Sequence, residues 1–415
     1  MSKNVVICCD GTGNEVKAEL SNVLKLYRVM SKNAAQCVYY QPGIGTIGQH
    51  NAWQQLRQKV RGWFELATGF GLDKDILCAY RFLCENYAQG DKVWLFGFSR
   101  GAYTVRVLAA MVNMIGLLNK DQLNLAEYAL AAYKRASLSN EPPRQSKQPS
   151  SALADAWHFS RVAGTRMIQI EFIGVWDTVS SILIPKKFGL LLDVEKLLYT
   201  QKNPIVKCFR QAIAIDERRR MFRLHHWLEP QSFRAKPFKP ESDITQDVKQ
   251  VWFAGVHADI GGGYPETESG LSKFPLAWMI EEARSYGLLV NQANINQMVF
   301  GKPRQGSKYR YAAPDEMAEI HRSLTLSWIP LEWLPKNVKA REWHERRDWL
   351  GWYVPRGEPR LIPESALIHQ SVKQRMASSD YRPVNLPQRY EWVGEAGSEP
   401  LAPSEQPTDR VTCAI

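Results

Sequence analysis

Four times along this chain a short, dominantly apolar run breaks off at a polar residue. Val5–Cys9 leads into Asp10-Gly11-Thr12-Gly13-Asn14, Lys92–Phe96 into Gly97-Phe98-Ser99-Arg100-Gly101, Met167–Trp176 into Asp177, and Val248–Val256 into His257. A strand with one wet face alternates apolar and polar residues, whereas a strand covered on both faces reads as a nearly continuous apolar run. These four are therefore predicted as central strands of a parallel sheet. Between them the apolar residues recur at helical spacing in Asn22–Met30, Asp73–Tyr87 (Ile76, Leu77, Tyr80, Leu83 and Cys84 on one face), Ala102–Leu118 and Ser272–Tyr286. Cys37–Tyr40 reads as a further strand, Lys207–Asp216 as a helix, Asn140–Ser151 as an exposed loop and Glu229–Gln246 as a long polar connection. Strands alternating with helices from residue 5 to about 290 predict an α/β fold, a doubly wound, mostly parallel sheet with helices on both faces.

Beyond residue 300 the texture changes. Trp328, Trp333, Trp343, Trp349 and Trp352 crowd together among charges and prolines, with no repeat. The expected organisation is a catalytic-sized domain over residues 1–300 with an insert at about 180–246, an irregular accessory region packed on the core over 301–394, and a flexible tail over 395–415. A chain of 415 residues, 45% hydrophobic, has ample material for one such core.

The 53 Lys and Arg against 42 Asp and Glu leave a net charge of +11. The excess gathers at Arg218, Arg219, Arg220 and Arg223 and at Arg341, Arg346 and Arg347, without a lysine tract or an RNA-binding signature. It implies only a weak pull on anionic partners, and nucleic acid is not expected among them. The seven cysteines, Cys8, Cys9, Cys37, Cys78, Cys84, Cys208 and Cys413, include no CxxC pair and read as free, mostly buried thiols. The N-terminus lacks the apolar segment of a signal peptide, and no run approaches 18 apolar residues. Synthesis as a cytoplasmic chain is expected, with export left to a machine that reads folded proteins.

Gly97-x-Ser99-x-Gly101, with an apolar strand directly before it and a helix directly after, matches the nucleophile elbow of α/β-hydrolases. A serine hydroxyl needs a base to take its proton, and that fold supplies the partners in the order Ser, acid, His. Here the order is met by Ser99, Asp177 and His257, each at the end of a predicted strand and thus at one sheet edge, where open α/β sheets bind ligands. The backbone N–H of Arg100, with those of Gly11 and Thr12, is the candidate oxyanion hole; the plain alternative for the Asp10 loop is a turn that ends a strand. Asp259 competes as the acid, but its closeness to His257 fits capping of the glycine turn better. His225 and His226 lie in a basic stretch, and His321 and His369 are placed to line the site from the C-terminal region. No histidine pair has zinc-ligand spacing and no nucleotide-binding glycine pattern occurs, so neither metal nor cofactor is expected.

Taken together and in this order, CDGTGN, the Pro42–Thr46 loop, LFGFSRGAYTVR, FIGVWDTV, AIDERRRMF and FAGVHADIGGGY resemble an uncharacterised-domain family of α/β-hydrolases that includes the catalytic domains of type VI secretion lipase effectors. The resemblance spans roughly residues 4–290 and continues weakly through IHQSVKQRM and YRPVNLP. It implies the same triad, a serine ester hydrolase working through an acyl-enzyme, a glycerophospholipid as substrate, peripheral contact with a membrane, and a secretion-system or immunity protein as partner. A carboxylesterase on non-lipid esters, or a catalytically silent interaction module, are the alternatives. The insert, SILIP and FGLLL around Lys186-Lys187, reads either as a lid or interfacial helix over an acyl pocket or as a helix packed on the core, with Ile182, Leu183, Leu190 and Leu191 as the lipid-facing residues.

Overall fold

A computed structural model describes residues 2–11, 20–43, 71–138, 151–179, 183–185, 192–194, 197–235, 243–326, 328–338, 341–345 and 347–394. The strands are β1 (Asn4–Cys9), β2 (Gln36–Gln41), β3 (Lys92–Phe98), β4 (Ile170–Trp176), β5 (Leu183–Pro185), β6 (Leu192–Val194), β7 (Val206–Ala214), β8 (Ser232–Arg234), β9 (Asp243–Thr245), β10 (Asp247–Phe253), β11 (Lys336–Asn337), β12 (Trp352–Tyr353), β13 (Ala366–His369) and β14 (Tyr390–Val393). Eight of them form one sheet in the order β14-β13-β10-β7-β4-β3-β1-β2, and every neighbouring pair runs parallel.

Strand alternation explains why both faces are apolar. Val5, Ile7 and Cys9 of β1, with Val93 and Leu95 of β3, enter one core, which the helices Leu72–Asn86 and Arg100–Ile115 complete. Val6 and Cys8, with Trp94, Phe96 and Phe98, enter the opposite core under the helices Asn22–Val29 and Lys273–Ser285. Successive side chains point to opposite faces, so covering both faces demands an unbroken apolar run. The sheet thus has the doubly wound α/β-hydrolase-like architecture that the sequence predicts. From β1 the chain moves out to β2 and then returns past β1 to β3, so the direction of winding reverses between β1 and β3. That reversal opens a crevice at the strands' carboxyl ends.

Three expectations need correction. Lys207–Asp216 is not a helix: β7 occupies Val206–Ala214 near the centre of the sheet. The polar pair Arg210-Gln211 disguises it, because Arg210 is buried by virtue of ion pairs with Asp247 at 2.7 Å and Glu282 at 2.6 Å, which lie far off in sequence. The region after 300 is irregular over much of its length, yet it also extends the sheet by two strands, β13 and β14. Around SILIP and FGLLL the described part is an antiparallel ladder of β5 with β6, Leu183 opposite Val194, rather than a helix, and the span of about 180–246 is not all insert, since β7 within it is a strand of the main sheet. Ile182, Leu190 and Leu191 lie outside the described residues.

Among the described residues, no helix is long and apolar enough to cross a membrane. Cys8, Cys9, Cys84 and Cys208 are buried free thiols and Cys37 and Cys78 half-buried ones.

Candidate active site

β3 delivers Ser99. Its backbone sits at φ 56°, ψ −120°, outside the regions open to L-residues, and the helix Arg100–Ile115 starts at the next residue. Two glycines make this turn feasible. A Cβ on Gly97 would lie 2.5 Å from the Gly101 carbonyl oxygen, and one on Gly101 would lie 2.2 Å from that of Cys9. No side chain fits at either point, so the turn closes tightly against the end of β1.

β4 delivers Asp177 one register step away. Phe98 pairs with Trp176, so the residues that follow them, Ser99 and Asp177, emerge side by side at the sheet edge, and the Ser99 N–H donates to the Trp176 carbonyl at 3.1 Å. Asp177 is wholly buried. Its Oδ1 accepts the Ala214 N–H at 3.0 Å, and its Oδ2 lies 2.5 Å from His257 Nδ1. Both oxygens are also held by Arg360, Nη1 to Oδ1 at 2.5 Å and Nη2 to Oδ2 at 3.0 Å. Burial alone pushes a carboxyl up; the Arg360 guanidinium and the His257 bond more than reverse this and hold Asp177 well below the usual carboxylate range.

His257 follows β10 and opens the short helix His257–Gly261. Its ring lies between Phe98, at 4.7 Å between centroids, and Phe222, edge-on at 4.8 Å. The residue is 6% exposed, and burial lowers the proton affinity of its ring below the ordinary histidine value in spite of the Asp177 carboxylate. With Nδ1 turned to Asp177, Nε2 is left as the basic nitrogen. The main chain is pinned too: the His257 N–H donates to Glu217 Oε2 at 3.2 Å.

Glu217 and Asp216 belong to AIDERRRMF, and they organise this loop in a way that sequence reasoning missed. Glu217 Oε1 accepts from the Arg219 N–H at 2.8 Å, from Arg219 Nε at 2.9 Å and from Ser323 Oγ at 3.0 Å. Asp216 Oδ2 accepts from the Gly255 N–H at 2.7 Å and from the Tyr381 hydroxyl at 2.8 Å. Of the arginines in which the positive charge gathers, four are turned onto the protein's own acids: Arg219 on Glu217, Arg220 on Glu342 at 2.7 Å and Arg223 on Glu342 at 3.1 Å, with Arg341 on Asp348 at 3.2 Å.

Asp259 turns away from His257. Its Oδ2 accepts the Val256 N–H at 2.9 Å, which is the capping role expected of it, and its Oδ1 lies 2.6 Å from His321 Nδ1. His321 in turn reaches Glu268 at 3.1 Å and stacks on Tyr264 at 3.5 Å, so it ties the glycine-rich turn to the later chain. Of the other candidate histidines, His225 borders the site: its main-chain N–H donates to the carbonyl of Thr178, directly after Asp177, at 3.1 Å, and its ring meets Tyr103 edge-on at 5.5 Å. His225 meets Thr200 at 3.2 Å, His226 is half-buried with a pKa pulled down to about 4 by burial, and His369 stacks on Phe253 at 4.5 Å.

At the end of β1, Asp10 Oδ1 accepts the Gly11 N–H at 2.7 Å, while Oδ2 accepts from Ser21 and from the Tyr40 hydroxyl at 2.8 Å. Asp10 thus closes the strand-end turn, and Gly11 must exchange that partner before it can bind an oxyanion. Arg100 is the first residue of the helix behind Ser99, so its N–H lies at the positive helix end. Thr12 lies outside the described residues. No three His, Cys, Asp or Glu residues among those described gather as a metal site.

Residues 3–282 match the family model of the type VI secretion system Tle1-like phospholipase effector catalytic domain. The chain belongs to that family. An uncharacterized protein of Saccharomyces cerevisiae, YEL023C, is 23% identical over 565 aligned positions, which take in 93% of this chain and 81% of the yeast protein. Two solved structures are more distant. An uncharacterized protein from Pseudomonas aeruginosa is 18% identical, with a TM-score of 0.36, covering 70% of this chain and 46% of its own. The Tle1 effector bound to the VgrG spike of a type VI secretion system is 19% identical, with a TM-score of 0.32, covering 65% and 53%. The chain therefore spans about half the length of these two structural neighbours.

Proposed function

We propose that this Tle1-like domain is a serine ester hydrolase that cleaves an acyl ester of a glycerophospholipid. The observation that carries the reading is the His257–Asp177 contact of 2.5 Å, formed beside a serine that β3 presents on a strained turn. Asp177 holds the imidazole with Nδ1 protonated, so Nε2 takes the Ser99 proton as Oγ attacks the ester carbonyl. The Arg100 N–H at the helix end faces the charge that develops on the carbonyl oxygen. Collapse expels the lysolipid alcohol, which receives the proton back from His257, and water then releases the fatty acid from Ser99 by the same route. A His257 that is neutral at ordinary pH serves this cycle, since only the neutral ring accepts a proton. Membership in the effector family supports phospholipid as the substrate and export through a type VI machine with its spike as partner.

The test is incubation with phosphatidylethanolamine and phosphatidylglycerol vesicles and with a soluble butyrate ester, wild type beside Ser99→Ala and Asp177→Asn. Fatty acid release by wild type and not by Ser99→Ala is expected, with Asp177→Asn slower by about 10⁴ because an amide favours the wrong imidazole tautomer. Hydrolysis of the butyrate without the phospholipids would make the protein a carboxylesterase. Undiminished release by Ser99→Ala would overturn the mechanism.

A further inference from the structure

Arg360 lies 183 residues after Asp177 in the chain and outside the stretch that defines the family, yet its guanidinium sits on the buried carboxylate. Both are nearly sealed from solvent, Arg360 at 5% and Asp177 at 0% exposure. Arg360 is itself built in. Its Nη1 also donates to the Ala214 carbonyl at 3.2 Å and its Nη2 to the Phe222 carbonyl at 2.6 Å, while its own carbonyl accepts from Asn385 at 3.0 Å. It thereby joins the ends of β4 and β7 to the segment that carries Phe222, whose ring covers His257.

A bidentate arginine is an unusual companion for the acid of such a pair. The carboxylate's usual service is to stabilise the imidazolium through a nearby negative charge, and an arginine shared across both oxygens cancels much of that charge. Resting on the catalytic reading of Ser99, Asp177 and His257, we propose that Arg360 is a positioning residue of the catalytic centre. It clamps the Asp177 carboxylate so that Oδ2 meets the ring, and it withdraws the charge that would otherwise keep a proton on His257. The other charged groups facing the ring fit this assignment. Glu217 is occupied by Arg219 and by the His257 main chain; Arg219, over Phe222 at 3.6 Å, lowers the ring's proton affinity directly while Glu217 raises it; and Asp259 is held by His321, so Arg360 acts on the ring through Asp177. Arg360 is then the group that sets the balance at Asp177, and the region after residue 300 completes the site.

The decisive measurement is the titration of His257 by ¹³C-histidine NMR in full-length Ser99→Ala protein, its signal assigned among the eight histidines by its loss in His257→Gln. Arg360→Gln, which keeps a donor and removes the charge, should raise the His257 midpoint by about one pH unit or more, a tenfold gain in proton affinity. Arg360→Lys should leave it within about 0.3 unit. In the Ser99 background, the acid limb of kcat/KM should move with the midpoint. A midpoint that stays put or falls in Arg360→Gln overturns the proposal. Should Arg360→Gln fail to fold, the double variant with Asp177→Asn, in which neither charge remains, is expected to restore the fold; a double variant that is equally unfolded would make Arg360 a packing residue and refute the clamp. A midpoint that moves as expected in a protein without ester hydrolysis would leave the clamp standing and defeat the catalytic reading instead.

Discussion

Ser99 is held at φ 56°, ψ −120°, a conformation from which a Cβ is ordinarily excluded. Strain of this kind amounts to about 1–3 kcal/mol. Ser99→Ala keeps the Cβ and the strain, whereas Ser99→Gly removes both, and the hydroxyl is lost from each, so its contribution cancels. Glycine also widens the unfolded ensemble, at a cost of about 0.4–1 kcal/mol. The glycine variant should therefore be the more stable of the two by about 1.3 kcal/mol at the centre of these ranges, and by up to about 2.5. Equilibrium urea unfolding of the two variants side by side reads this difference directly, with m-values compared to ensure that the same surface is exposed. Both should lose rate on the order of 10⁶-fold. A glycine variant less stable than the alanine variant by its ordinary entropic penalty would show that no strain is stored at Ser99, and the elbow would lose its physical basis.

Two further outcomes follow from contacts around the same edge. Gly101→Ala places a methyl 2.2 Å from the Cys9 carbonyl oxygen, backbone that is fixed in a central strand; a loss of about 3 kcal/mol or more is expected in urea melts, and a wild-type midpoint would refute the tight contact of β1 with the turn. His321, although partly buried, has its proton affinity raised above the ordinary histidine value by Glu268 and Asp259. Its charged form is thus favoured in the folded protein, so its contribution is complete below about pH 6.5 and is lost as pH rises through the folded value. His321→Ala should accordingly cost more stability at pH 6 than at pH 9, and an equal cost at both would mean that its stacking on Tyr264 alone matters.

The parts of this fold that were legible are those whose neighbours in space resemble one another. β1, β3 and β4 announce themselves because both of their faces meet apolar cores, and the positions of Ser99 and Asp177 at strand ends, with His257 in the turn after β10, were legible because each follows such a run. β7 was not, because Arg210 is tolerable in a buried strand only with Asp247 and Glu282 beside it, and nothing local in KCFRQAIA signals those partners. Arg360 is the extreme case, an arginine between two prolines whose sole distinction is a partner 183 residues away. The basic run at Arg218–Arg223 shows its net charge in the sequence, whereas two of its matching acids, Glu342 and Glu358, lie more than a hundred residues on. AIDERRRMF held the one available clue, an Asp-Glu pair directly before the arginines.

The placement of β13 and β14 bears on how the chain assembles as it leaves the ribosome. β10 ends at Phe253 and its outer partner β13 begins at Ala366, so the edge of β10 remains unpaired until more than a hundred further residues have been made. At about 5–20 residues per second that interval is on the order of 5–25 s, long compared with the collapse of the earlier strands. An open parallel edge bearing Val251 and Phe253 is a template for pairing with another nascent chain. Fragments that stop near residue 300 would keep that edge open permanently and should accumulate as aggregates, while faster synthesis of the last hundred residues should raise the soluble yield of the whole.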